Sequence, residues 1–225
     1  MKIRKLFYRV LTIVILCAML LPWDSGSLSG IARAACPVTA ESWDEVGTDS
    51  ACSGGISNNS GHSWWPPLAI APDGRPYVAW EDSSHGDSEI YVRRWNGSDW
   101  EEVGAGSASG GGISDNGGES RFTSVAIAPD GTPYVAWGDQ LGSANWEIYV
   151  RRWNGSDWEE VGTGSASGGG ISDNTGGSGW PSLAVAPDGR PYVAWGDDSG
   201  GDWEIYVRRW RWGFKVYLPI ILKNY

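Results

Sequence analysis

A block of about 57 residues is written three times in succession in this chain. Pro72-Asp73-Gly74 returns as Pro129-Asp130-Gly131 and Pro187-Asp188-Gly189, at spacings of 57 and 58, and an Arg-Arg-Trp tripeptide follows each, ending at Trp95, Trp153 and Trp210. Self-similarity at a fixed period of this length marks a repeat architecture, in which each copy is one supersecondary unit that buries its apolar face only against its neighbours. The repetition also bears on function, because a residue present in every copy is not a unique catalytic centre. On that ground the sequence predicts no catalytic residue and a protein that is not an enzyme.

The middle copy predicts the structure of one unit. Residues 124–128 alternate larger apolar and small side chains, as a strand packed on both faces does, and end at Pro129-Asp130-Gly131. Proline presets φ for the first turn position, and glycine accepts the positive φ that closes a short hairpin. Residues 134–137 form a second strand and residues 147–153 a third, with Ile148 and Val150 on one face and Tyr149, Arg151 and Trp153 on the other. Asn154-Gly155 is a strong hairpin signal, and residues 158–161 supply a fourth strand. Four antiparallel strands in chain order make a β-propeller blade.

The expected fold is therefore all-β, with three four-stranded antiparallel blades forming an incomplete or oligomer-completed propeller. Its parts are an N-terminal segment 35–67 with a lone outer strand, blades at 68–104, 105–162 and 163–212, and a tail 213–225. The third repeat lacks the outer-strand text, for which residues 214–218 are the candidate substitute. Val46 to Pro72, Val103 to Pro129 and Val161 to Pro187 are each 26 residues apart. That constant length makes the Gly/Ser-rich interblade run a packed loop rather than a flexible linker. Trp80, Trp137 and Trp195, in register mid-strand, are expected to fill the space between blades.

The chain opens with Lys2, Arg4, Lys5 and Arg9, an apolar run over residues 10–21 and Ala32-Arg33-Ala34. This is the pattern of an export signal over residues 1–34, and the apolar run falls short of the ~20 residues a spanning helix needs. Cleavage would leave 12 Lys and Arg against 26 Asp and Glu. Such a surface repels phosphate backbones and anionic membranes, which disfavours nucleic-acid partners. The remaining cysteines, Cys36 and Cys52, are expected to pair in an oxidising compartment, closing a loop worth about 3 kcal/mol. Two cysteines and the unrepeated His62 and His85 do not make a metal set, and the acidic runs at 81–82, 87–89, 197–198 and 202–204 lack the alternating spacing of a calcium loop. No cofactor is expected.

The string Leu-Ala-Ile-Ala-Pro-Asp-Gly-Arg-Pro-Tyr-Val-Ala-Trp at 68–80, followed by Glu-Ile-Tyr-Val-Arg-Arg-Trp-Asn-Gly, resembles the repeats of secreted bacterial β-propellers of the broad sialidase-like (BNR-type) group. The spacing of Arg93, Trp95 and Trp100 is also faintly similar to blades of fucose-binding propeller lectins. The departures are substantive: the Ser-x-Asp-x-Gly-x-Thr-Trp box is not intact, and no unique arginine triad with a Tyr–Glu pair can be assembled. The tail around Tyr217-Leu218-Pro219 is similar to tails that end other exported repeat proteins, which implies surface anchoring.

Candidate ligand-binding residues follow from the long-loop face. Trp65, Phe122 and Trp180 share one position before the first strand, Asp82, Asp139 and Asp197 follow the core Trp by two, and Trp146 and Trp203 precede the third strand. An aromatic plate beside a carboxylate suits a sugar, whose C–H face stacks while its hydroxyls donate. The expectation is an exported, cell-surface binding module for a glycan or surface polysaccharide, self-associating into a homo-oligomer. The alternative is a structural spacer or adhesion module, and behind it a fragment of a sialidase-like hydrolase.

Overall fold

The computed structural model describes residues 43–140 and 145–213, and among them are twelve strands and no helix. The first repeat contributes β1 (Ser63–Trp64), β2 (Leu68–Ile70), β3 (Pro76–Asp82), β4 (Glu89–Trp95) and β5 (Trp100–Glu102). The second contributes β6 (Ser120–Ile127), β7 (Pro133–Asp139), β8 (Glu147–Trp153) and β9 (Trp158–Glu160). The third contributes β10 (Ser178–Val185), β11 (Pro191–Asp197) and β12 (Glu204–Arg209). Each sheet runs in chain order with antiparallel neighbours, β6-β7-β8-β9 being the full pattern, so the three repeats are propeller blades. The third sheet has three strands among the described residues. The candidate substitute at 214–218 lies outside them, as do the leader 1–34, Cys36 and the tail from 214.

The turns form as their residues dictate. Gly74, Gly131 and Gly189 donate their N–H to Ala71, Ala128 and Ala186 at 2.8, 2.9 and 2.9 Å, closing the three Pro-Asp-Gly hairpins. Each hairpin Asp accepts from the residue two further on, as in Asp130 Oδ1 from Thr132 N at 2.9 Å.

The core sits between blades. One apolar cluster joins Ala79, Ile90 and Val92 of the first blade to Val125, Val135 and Trp137 of the second. A second joins Ile148 and Val150 to Leu183, Val193 and Trp195. Trp80 and Trp137 meet Tyr91 and Tyr149 edge-on, at 5.8 and 5.9 Å. The Gly/Ser-rich interblade run is an ordered loop pinned to the preceding blade. Ile113 N donates to Ile90 O at 2.8 Å, Val92 N to Ser107 O at 2.7 Å, and Ser107 Oγ to Val92 O at 2.9 Å. The next loop repeats this with Ile171 N to Ile148 O and Val150 N to Ser165 O, both 2.7 Å. Gly104 and Gly162 begin these loops at φ +86° and +95°, and a Cβ there would lie 2.3 and 2.1 Å from the rings of Trp153 and Trp210. Only glycine meets both conditions.

The first strand differs from the sequence expectation. It begins at Ser120 rather than at residue 124, and it carries a bulge between Arg121 and Ser124. Phe122 sits on that bulge with φ +60°, and Trp180 repeats it at +52° in β10. These aromatics therefore stand inside the strand, not before it. In the first blade, Pro66-Pro67 follows Trp65, and prolines lack the N–H the ladder needs, so the strand divides into β1 and β2 around Trp65 at φ +51°.

Candidate functional site

Asp82, Asp139 and Asp197 are not placed to receive a sugar. All three are buried, and each directs Oδ2 to three donors of its own blade. Asp139 Oδ2 accepts from Asn116 Nδ2 at 2.7 Å, Ser120 Oγ at 2.9 Å and Trp137 Nε1 at 2.9 Å. Asp82 takes the same bonds from Asn59, Ser63 and Trp80, and Asp197 from Asn174, Ser178 and Trp195. For Asp82 burial pushes the carboxyl upward, but Ser84, Asn59 and Trp80 donate strongly enough to leave it below the ordinary range. Asp197, opposed by burial in the same way, is held far lower by Ser199, Ser178 and Trp195. These carboxylates tie the interblade loop, the first strand and the core Trp together, which corrects their expected role as hydroxyl acceptors.

The aromatic residues do come together. Phe122 lies 5.1 Å from Trp180 across the boundary between the second and third blades. Trp146 lies 5.4 Å from Phe122, and Trp203 lies 5.2 Å from Trp180. The result is one continuous row, Trp146–Phe122–Trp180–Trp203. Arg121 places its guanidinium 6.0 Å over the Trp146 ring. The rings at Trp180 and Trp203 are 60% and 55% exposed, unlike the core Trp residues. They wall an open cleft of about 440 Å³, whose polar rim is Asn145, Thr175 and Asp198. Asp198 Oδ1 accepts from Gly177 N at 2.6 Å, and Asn145 Nδ2 donates to Thr175 O at 2.7 Å. The half-buried carboxylate at the rim beside the plates is therefore Asp198, one residue beyond the expected Asp197. No repeat signal could have found it, since Ser83 and Gln140 hold the equivalent positions.

The first blade differs from the other two here. Trp65 is exposed, and its blade has Ser88 at the position that Trp146 and Trp203 hold in the others, so it has no ring partner of that kind within its own blade. Where the other blades have Gly138 and Gly196, it has Glu81. Glu81 is buried and accepts a hydrogen bond from Phe122 N at 2.5 Å, which ties the first blade to the second. Burial raises its carboxyl above the ordinary value; Glu119 adds to this, while the Phe122 amide and Arg121 oppose it. The Cys36–Cys52 pairing falls partly outside the described residues. Among the described residues no group of three or more His, Cys, Asp or Glu could hold a metal ion, and no helix is long and apolar enough to cross a membrane.

No protein family and no curated protein matches the chain. Among solved structures it is similar to a Hadza microbial sialidase, at 14% identity and TM-score 0.41, over 64% of this chain and 37% of that one. It is similar to an endo-arabinase from Bacteroides thetaiotaomicron at 13% identity and TM-score 0.44, over 71% and 60%. It is also similar to an α-L-arabinofuranosidase from Fusarium graminearum at 14% identity and TM-score 0.47, over 65% and 45%. The chain thus spans 37 to 60% of the length of these structures. All three are enzymes by name, and on that finding the expectation that this protein is not an enzyme is withdrawn. The physical flaw in that expectation is visible at Glu81: an argument from repeated residues does not reach a carboxyl present in one blade only. The chain is an all-β protein built of propeller blades, similar at low identity to propellers of the sialidase and glycosidase group.

Proposed function

We propose that the chain is an exported carbohydrate-binding protein whose sugar seat is the aromatic cleft between the second and third blades. The observation that carries this reading is the continuous row Trp146–Phe122–Trp180–Trp203, open to solvent and rimmed by Asp198, Asn145 and Thr175. Sugar rings lay their C–H faces on aromatic plates while hydroxyls turn to polar groups at the edge. The backbone adds support. Trp65, Phe122 and Trp180 all adopt positive φ, which costs a non-glycine residue of order 1 kcal/mol or more and recurs at ligand clamps.

Calorimetric titration with arabino-, manno-, fucosylated and sialylated oligosaccharides tests this. The wild type is expected to bind at least one of them, and Trp180→Ala and Trp203→Ala each to lose about 1–3 kcal/mol of affinity. Their thermal melting should change little, because both rings are more than half exposed. Absence of binding by the wild type overturns the reading in favour of a structural spacer. A lowered melting temperature without any binding would assign Trp180 to the core.

A second reading rests on Glu81. A carboxyl raised by burial is suited to donate a proton, and Glu119 supplies a second carboxyl in its surroundings. Turnover of nitrophenyl arabinofuranoside or sialoside, abolished in Glu81→Gln, would establish hydrolysis. Sugar binding without turnover of these substrates would leave the binding reading.

A further inference from the structure

The two outer blades present the two halves of the joint that the inner boundaries form twice. At each inner boundary the third strand of one blade is covered by the loop leading into the next. In the first blade the covering leaves Ile90, Tyr91 and Val92 at 0, 1 and 0% exposed; in the third blade the equivalents Ile205, Tyr206 and Val207 are 77, 39 and 62% exposed. The change reaches the ring geometry. Tyr91 and Tyr149 give their hydroxyls to Gly110 O and Gly168 O and meet the core Trp at 70° and 68°. Tyr206 tips to 25° against Trp195, and Glu204 is exposed, whereas Glu89 and Glu147 are buried and each receive a serine hydroxyl.

Among the described residues, a loop of the kind that would cover β12 lies ahead of the first blade. Residues 47–59 lie ahead of the first blade and repeat the interblade loop in conformation as well as in text. Ser53 has φ +57° where Gly110 and Gly168 have +58° and +59°. Gly55 has +61° against +64° and +61° at Gly112 and Gly170, and Asn58 has +36° against +37° and +41° at Asp115 and Asp173. The loop is also seated on its own blade as the others are, with Arg93 Nη1 donating to Ile56 O at 2.7 Å and Trp100 Nε1 to Val46 O at 2.7 Å. No described residue covers its outward side or the first-strand face beside it: Leu68 is 59% exposed, while its equivalents Val125 and Leu183 are each 8%.

We propose that this loop of one copy docks on β12 of a second copy, head to tail, so that two copies joined at both ends close a six-bladed ring. Closed propellers use 4–8 blades, and one two-fold axis makes both joints identical. The bonds follow from the inner boundaries. Ile56 N of one copy would donate to Ile205 O of the other, and Val207 N to Ser50 O. Ser57 Oγ would accept from Ile205 N and donate to Glu204, and Tyr206 OH would reach Ser53 O. The joint would also set Trp65 of one copy beside Trp180 of the other, at the place Trp180 holds beside Phe122, lengthening the aromatic row.

Gly55 gives a selective test. A Cβ there meets only Ser50 O at 3.9 Å, whereas at Gly112 and Gly170 it would lie 2.2 Å from the carbonyl oxygens of Ile90 and Ile148 on the preceding blade. Gly55→Asn, a residue that tolerates positive φ, should therefore fold and block the joint. Ile205→Asp alters an exposed position and should block it from the other side, keeping the test decisive if the loop variant misfolds. Sedimentation velocity of the purified protein should give a wild-type dimer, with association weakened about 30-fold or more in each variant. Mixing the two variants should restore a two-chain complex, since the loop of one and the β12 face of the other remain intact. A wild type that stays monomeric, or a dimer indifferent to Gly55→Asn and Ile205→Asp, overturns the proposal.

Discussion

Asp139 and its equivalents each gather three hydrogen-bond donors on one buried carboxylate oxygen. Three donors converge on one oxygen, so Asp139→Asn turns an acceptor into a group that is half donor. It should cost about 1–3 kcal/mol, read as a lowered denaturation midpoint. Glu89 behaves in the opposite sense. Burial raises its carboxyl from 4.5 to about 7, despite opposing bonds from Ser114 and the Asn116 amide. The folded state then holds this proton more tightly than the unfolded chain does. Its contribution is fully present below pH 4.5 and is lost as pH rises to about 7. Glu147 and Glu81 are raised as well and act in the same direction. Melting temperature is therefore expected to fall across that window, and Glu89→Gln to flatten part of the slope.

At the scale of the element, the interblade loop is a structural part rather than a tether. Gly104 and Gly131 have nearly the same φ, +86° and +89°, yet a Cβ on Gly104 strikes the Trp153 ring while one on Gly131 meets nothing within 4 Å. Gly131→Ala should cost only the backbone penalty of about 1–2 kcal/mol. Gly104→Ala should cost more, about 2–4 kcal/mol, because the ring must also move. Chemical denaturation of the two variants side by side separates backbone strain from packing.

For the whole molecule, stability is a sum of blade interiors and blade boundaries, as in other repeat proteins. Among the described residues nothing covers β12 of the third blade or Leu68 of the first. If the head-to-tail joint supplies that cover, folding is linked to association, and the melting temperature of the wild type should rise with protein concentration. The same series on Gly55→Asn should be flat.

The sequence by itself determined the blades. Period, Pro-Asp-Gly and Asn-Gly turns and strand alternation are local signals, and the constant 26-residue spacing marked the interblade loop as ordered. Repeat alignment also singled out Phe122, Trp146, Trp180 and Trp203, which the fold gathers into one row. What the tertiary structure decided is where polar groups end up. Asn116 and Ser120 lie 23 and 19 residues from Asp139 and meet it only after the loop and first strand fold against β7. Their recurrence as Asn59, Asn174, Ser63 and Ser178 was the available hint of a structural network. Asp198 had no recurrence to mark it, and the strand bulge that turns Phe122 and Trp180 toward the cleft is a register event between two strands. Hydrogen-bond convergence and register are properties of chain segments distant in sequence, so no pattern within one segment encodes them.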